Sequence, residues 1–120
     1  LREGMNASSA PLARGHSEFE HAGLRTAPSR LVRPPRVAEA PAALECKWLQ
    51  TVPLKPLGGG EPTNFLVIGQ VVSIYVDDRF VADGLVDTAA MRPIMRGGAF
   101  DYFSVTPENR FEMRRPKGGG

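Results

Sequence analysis

A mainly β chain with short helices is what this sequence predicts, and three observations carry the prediction. Residues 65–76 form an aliphatic and aromatic run that only Gly69, Gln70 and Ser73 interrupt, which reads as a strand apolar on both faces. Residues 43–52 switch to a period of two, with Leu44, Cys46, Trp48 and Val52 assigned to one face and Glu45, Lys47 and Thr51 to the other, the pattern of a half-buried strand. Turn-forming residues separate these runs: Pro53, Pro56 and Gly58-Gly59-Gly60 before the long strand, Asp77-Asp78 after it, and Asp83-Gly84 further on. In the long strand Phe65, Val67, Val71 and Tyr75 are expected to point one way and Leu66, Ile68, Val72, Ile74 and Val76 the other. Both sides then need cover, as in a closed or packed sheet. Gly69, inside that strand, is expected to mark a bend or a close backbone approach.

The elements before and after the long strand are shorter. Met5-Asn6-Ala7-Ser8-Ser9 reads as the last turn of a helix that Pro11 closes off. Ser17 suits a helix N-cap, with Glu20 in the capping-box position, Glu18 favourable to the helix dipole and Gly23 as a stop. Pro28, Pro34, Pro35 and Pro41 predict an extended connector. Asp87 is expected to cap a helical turn through Thr88, Ala89, Ala90 and Met91 that Pro93 limits, and residues 100–105 to form a last short strand. The glycines at 118–120 are expected to lack fixed structure.

With 120 residues the chain is expected to be one domain with a modest core. No run approaches the ~20 apolar residues that a membrane helix needs. Fifteen Lys and Arg against 13 Asp and Glu leave a formal charge of +2, so nucleic acid is disfavoured as a partner. Cys46 is the sole cysteine, which fits a reducing cytoplasm and excludes a thiolate metal cluster; as a side chain it reads as a small buried hydrophobe. His16 and His21 lack further ligands at metal-binding spacing, and Asp77-Asp78 reads as a strand-ending turn. The chain opens on Leu1 and is expected to be a truncated or processed piece.

The segments MNASSAP, SEFEHAGL, PPRVAEAPAALEC, NFLVIGQVVSIYVDD and RGGAFDY, in this order, resemble the later part of the flavin reductase-like, FMN-binding split-barrel family. The resemblance implies a partial antiparallel split β-barrel over residues 1–120, its N-terminal part missing. It also implies a homodimer that binds FMN and transfers hydride from NADH or NADPH to flavin, in the cytoplasm. No catalytic residue is expected, because in such a reductase the hydride chemistry belongs to the cofactor and the protein positions the rings. Similar reductases often carry glutamate at Gln70 and histidine at Tyr75, where this chain differs.

Cofactor contacts are expected from Asn6, Ser8, Ser9, Asn64, Arg96 and Tyr102. Asn6, Ser8 and Ser9 offer short donors and acceptors at a helix end, for a flavin edge or phosphate or for local capping. Asn64 is a contact at the barrel mouth or a turn residue. Arg96, with Gly97-Gly98 and Tyr102, brings a cation and a ring near a bound anion or forms a plain turn. Tyr75 is a stacking surface or a core aromatic. Arg30, Arg33 and Arg36 recur every third residue, so a polyproline helix would place them on one face. That face defines the alternative function, a non-enzymatic β-barrel module for an anionic partner.

Overall fold

The computed structural model describes residues 1–118. The last two positions of the terminal glycine run, 119 and 120, lie outside the described residues. The chain divides into two units, Leu1–Val76 and Asp77–Gly120.

In the first unit, α1 (Arg2–Ala7) is the short helical segment that the sequence predicts before Pro11. The second helix, α2 (Glu18–His21), starts at Ser17 but gains no side-chain cap from it, so the expected Ser17–Glu20 box does not form. Acidic Glu18 and Glu20 in the first turn favour the helix start electrostatically instead. Its end follows expectation: Gly23 adopts φ +63°, its N–H donates to Glu20 O at 3.2 Å, and Leu24 N–H donates to Phe19 O at 2.9 Å. Those two bonds are a Schellman motif. Leu24 leaves it directed at α1, where a Cβ on Gly4 would lie 2.8 Å from Leu24 Cδ2.

The proline-rich stretch is not the extended connector that its composition predicts. β1 (Thr26–Ala27) and β2 (Arg36–Val37) pair antiparallel, which folds the residues between them into a loop. Ser29 Oγ donates to Pro34 O at 2.6 Å across that loop, so a side chain supplies a closure that prolines, lacking N–H, cannot.

β3 (Ala42–Leu54) and β4 (Asn64–Val76) then form a long antiparallel ribbon, in register from Ala42 opposite Val76 to Leu54 opposite Asn64. Pro53 lies inside β3, opposite Phe65, rather than in the turn; a strand with a neighbour on one side tolerates it. The register slips twice, leaving Val72 unmatched between Glu45 and Cys46 and leaving Leu49 unmatched between Trp48 and Gln50. These bulges interrupt the strict alternation that the sequence predicts. Gly69, opposite Trp48, is a close backbone approach as expected: a Cβ there would sit 3.2 Å from Cys46 Cβ and 3.3 Å from Lys47 O.

The second unit begins where Asp77 ends the ribbon. Its carboxylate accepts from Arg79 N–H at 3.0 Å and from the Arg79 guanidinium at 2.7 Å, starting a 3₁₀ turn over Asp78–Phe80. β5 (Val81–Ala82) and β6 (Leu85–Val86) make a hairpin through Asp83 and Gly84. Both turn residues have positive φ, +52° and +75°, which makes this the type I′ turn that Asp-Gly favours. Asp87 caps as expected, Oδ1 accepting from Ala90 N–H at 3.0 Å, though the segment stays a turn and never becomes a helix. β7 (Ile94–Arg96) pairs with β8 (Tyr102–Ser104). The latter is the expected last strand. The former was not expected, because three residues behind Pro93 are too few to show a period.

The strands are antiparallel throughout, and among the described residues they make four separate two-stranded sheets that do not close. The expected core is largely absent: only Ala89 and Glu45 are buried among the described residues. On the ribbon Trp48 is 69%, Phe65 59% and Ile74 65% exposed, and Leu44 and Cys46, assigned to the inner face by periodicity, are exposed as well. Two strands have no second layer to bury either face. Because Gly69 faces backbone it cannot displace, Gly69→Val is expected to destabilise the ribbon by about 1–3 kcal/mol. Hydrogen exchange at the β3 and β4 amides and urea denaturation would register the loss.

Candidate functional site

The polar chemistry of the first unit gathers where the proline loop meets the start of β3. Periodicity placed Glu45 on the outer face, yet it is 5% exposed. Its Oε1 accepts from Arg30 N–H at 2.8 Å and its Oε2 from Leu31 N–H at 2.6 Å. Two successive amides turned toward one carboxylate form an anion nest, so the loop supplies the partners that a buried carboxylate requires. The Arg30 amide, followed by that of Leu31, holds the Glu45 carboxyl below its ordinary value against the opposing effect of desolvation.

Beside this clasp, the Arg36 guanidinium carbon lies 3.6 Å from the centroid of the Tyr75 ring. Tyr75 is therefore a stacking surface, and its partner is a cation of the chain itself. Arg36 is half-buried in β2 while Arg30 and Arg33 are exposed, so the common arginine face of a polyproline helix does not form. Pairing of β1 with β2 overrides the three-residue period.

The six residues expected to touch a cofactor fall in both units. Four lie in the first. Ser8 Oγ donates to Met5 O at 2.8 Å and Ser9 Oγ to Asn6 O at 2.7 Å, so both hydroxyl protons are engaged at the C-terminal end of α1, while each hydroxyl oxygen keeps acceptor capacity. Asn6 is exposed on the same turn. Asn64 is exposed at the first position of β4, opposite Leu54, and Tyr75 lies near the other end of that strand. In the second unit, Arg96 and Tyr102 face each other across the β7–β8 hairpin. The Arg96 guanidinium donates to Gly98 O at 3.0 Å and Ala99 O at 2.9 Å, bracing its own turn. Asn6, Ser8 and Ser9 are thus brought together at one helix end, as are Arg96 and Tyr102 across one hairpin.

The family model for the flavin reductase-like domain matches residues 2–93, and the chain belongs to that family. A protein of Halalkalibacterium halodurans is 42% identical over 116 residues, covering 95% of this chain and 53% of the relative. One from Deinococcus radiodurans is 34% identical over 114 residues, 92% of this chain and 47% of its own length. The chain therefore spans about half the length of the curated relatives it matches.

Among solved structures, nitrilotriacetate monooxygenase component B from Bacillus cereus superposes with a TM-score of 0.80 at 28% identity, over 92% of this chain and 53% of that one. A protein with a split-barrel domain from Shewanella frigidimarina gives 0.72 at 29% identity, over 97% and 55%. The 2-nitrobenzoate 2-nitroreductase of Pseudomonas fluorescens, at 22% identity and a TM-score of 0.75 over 98% and 56%, shares the fold. The split-barrel class predicted from sequence is the class of these neighbours. Among the described residues no helix is long and apolar enough to cross a membrane.

The Glu45 clasp has a pH signature of definite sign. Its carboxyl titrates below the ordinary 4.5 when folded, so its contribution to stability is complete above that value and is lost as pH falls through the folded-state value. Hydrogen exchange at the Arg30 and Leu31 amides, corrected for the intrinsic pH dependence, is expected to lose protection together over that acid range. In Glu45→Gln it should already be fast at neutral pH.

Proposed function

We propose that the protein is an FMN-binding flavin reductase that transfers hydride from NADH or NADPH to flavin. In this reading residues 1–120 are one part of a single split-barrel domain, and the active form is a homodimer in the cytoplasm. The match of the family model to residues 2–93 carries the reading, and the superposition on a monooxygenase component supports it. Supplying reduced flavin to a partner enzyme is chemistry that needs no acid, base or nucleophile from the protein, since the cofactor holds the reacting atoms.

The residues present fit part of FMN. Asn6, Ser8 and Ser9 stand at the C-terminal end of α1, where backbone carbonyls concentrate negative partial charge. That end disfavours a phosphate but suits the edge of the isoalloxazine ring, whose ring N–H can donate to a serine hydroxyl oxygen or the asparagine carbonyl. Asn64 in the first unit and, separately, Arg96 with Tyr102 in the second are further proposed contacts. Arg96, although engaged with two carbonyls, has further N–H groups to offer an anion. The rival reading, an arginine face gripping an anionic partner, loses its basis because Arg36 stacks on Tyr75 and leaves that face.

A folded chain extended to the full length of the relatives is expected to retain FMN through gel filtration and to oxidise NADH or NADPH in a flavin-dependent way, whereas residues 1–120 alone are expected to retain FMN weakly or not at all. If the extended chain does neither, the reading is overturned. Replacing Asn6 and Ser9 together by alanine should weaken flavin binding by roughly tenfold or more, the loss of one to two net hydrogen bonds, as measured by fluorescence titration.

A further inference from the structure

We propose that Arg36, held flat against Tyr75, is a binding point for an oxyanion, a phosphate or carboxylate group that enters the cavity between the proline loop and the start of β3. Three observations converge on it. Arg36 Nη1 is shielded from solvent and has no hydrogen-bond partner among the described residues. The guanidinium is fixed in place by the Tyr75 ring at 3.6 Å. Arg36 is also among the residues that line a cavity of about 300 Å³, with Ser29, Val32, Pro34, Glu45 and Cys46.

A buried donor without an acceptor is costly, and more so when it carries charge, because water no longer compensates it. Stacking on an aromatic face stabilises the cation but offers no lone pair to the N–H groups, which lie in the guanidinium plane. No carboxylate pairs with Arg36 among the described residues. None of the neighbouring polar groups bonds Arg36 Nη1: Ser29 Oγ donates to Pro34 O, and the Glu45 oxygens take the loop amides. Those amides partly offset the negative charge of Glu45, which disfavours an incoming anion. What Arg36 Nη1 lacks is therefore an acceptor, and a planar fork with fixed orientation selects one with two oxygens in a plane. Tyr75 acts as a positioning residue, since it sets the plane in which the fork presents its donors. Entry requires the proline loop to yield enough to uncover Nη1, and the β1–β2 pairing and the Glu45 clasp are what hold that loop.

The proposal does not depend on flavin binding. The test is a titration of the isotope-labelled protein with inorganic phosphate and, separately, with acetate, at ionic strength held constant with sodium chloride, following the Arg36 Nε–H and Tyr75 ring resonances. A saturable shift with phosphate assigns the phosphate class and one with acetate the carboxylate class; a saturable response to either supports the site. Arg33→Gln, which removes an exposed arginine, should respond like the unsubstituted protein. Arg36→Lys keeps the charge but loses the fork, and should bind roughly tenfold more weakly or worse. No shift beyond the chloride control in the unsubstituted protein overturns the proposal, as does a saturable shift that persists undiminished in folded Arg36→Gln. Because the first reading uses the unsubstituted protein, failure of a variant to fold leaves the decision intact.

Discussion

Twelve residue pairs join β3 to β4, and the rest of the first unit is arranged from that pairing. The ladder fixes Glu45 where the loop amides of Arg30 and Leu31 can reach it, and places Tyr75 under Arg36. Each of these contacts joins a strand residue to a segment that, on composition alone, has no reason to fold back. Hydrophobic burial, ordinarily the largest favourable contribution to folding, adds little here because the ribbon's apolar side chains remain largely open. Directional polar contacts therefore carry an unusual share of the local order.

Much of this was legible in the residues. The Asp83-Gly84 turn, the stop at Gly23 and the tight approach at Gly69 could be read because each rests on a backbone preference of a single residue or dipeptide. The long strand was equally plain from its composition. Less accessible was Glu45, whose alternation with Leu44 and Cys46 points it outward while the structure buries it. The amides that satisfy it belong to a loop fourteen and fifteen positions earlier, and no local pattern encodes such a meeting. The stacking of Arg36 on Tyr75 escaped for the same reason, and the period-three arginines gave a false cue that strand pairing at Arg36 and Val37 overrode.

The candidate cofactor contacts show the same division. Asn6, Ser8 and Ser9 could be grouped from sequence because one helical turn brings neighbours together. Arg96 and Tyr102 share a hairpin whose first strand the sequence concealed. The resemblance read from sequence rests on five ordered segments, four of which lie within residues 2–93, the range of the family model that shows the membership, the fifth, around Tyr102, lying beyond it. Family motifs carry information about the fold as a whole that hydrophobic period alone does not, which is why the class was legible while individual burial was not.

The nine-residue connection between β3 and β4, residues 55–63, has a kinetic consequence. Strands separated by so little chain meet on a timescale of roughly microseconds, far faster than a ribosome at about 5–20 residues per second delivers the downstream residues. β4 carries no charged side chain between Asn64 and Val76, and left single it would be a sticky template for any neighbouring nascent polypeptide. Zipping against β3 during synthesis occupies one of its two edges early, halving the opportunity for misassembly before later contacts arrive.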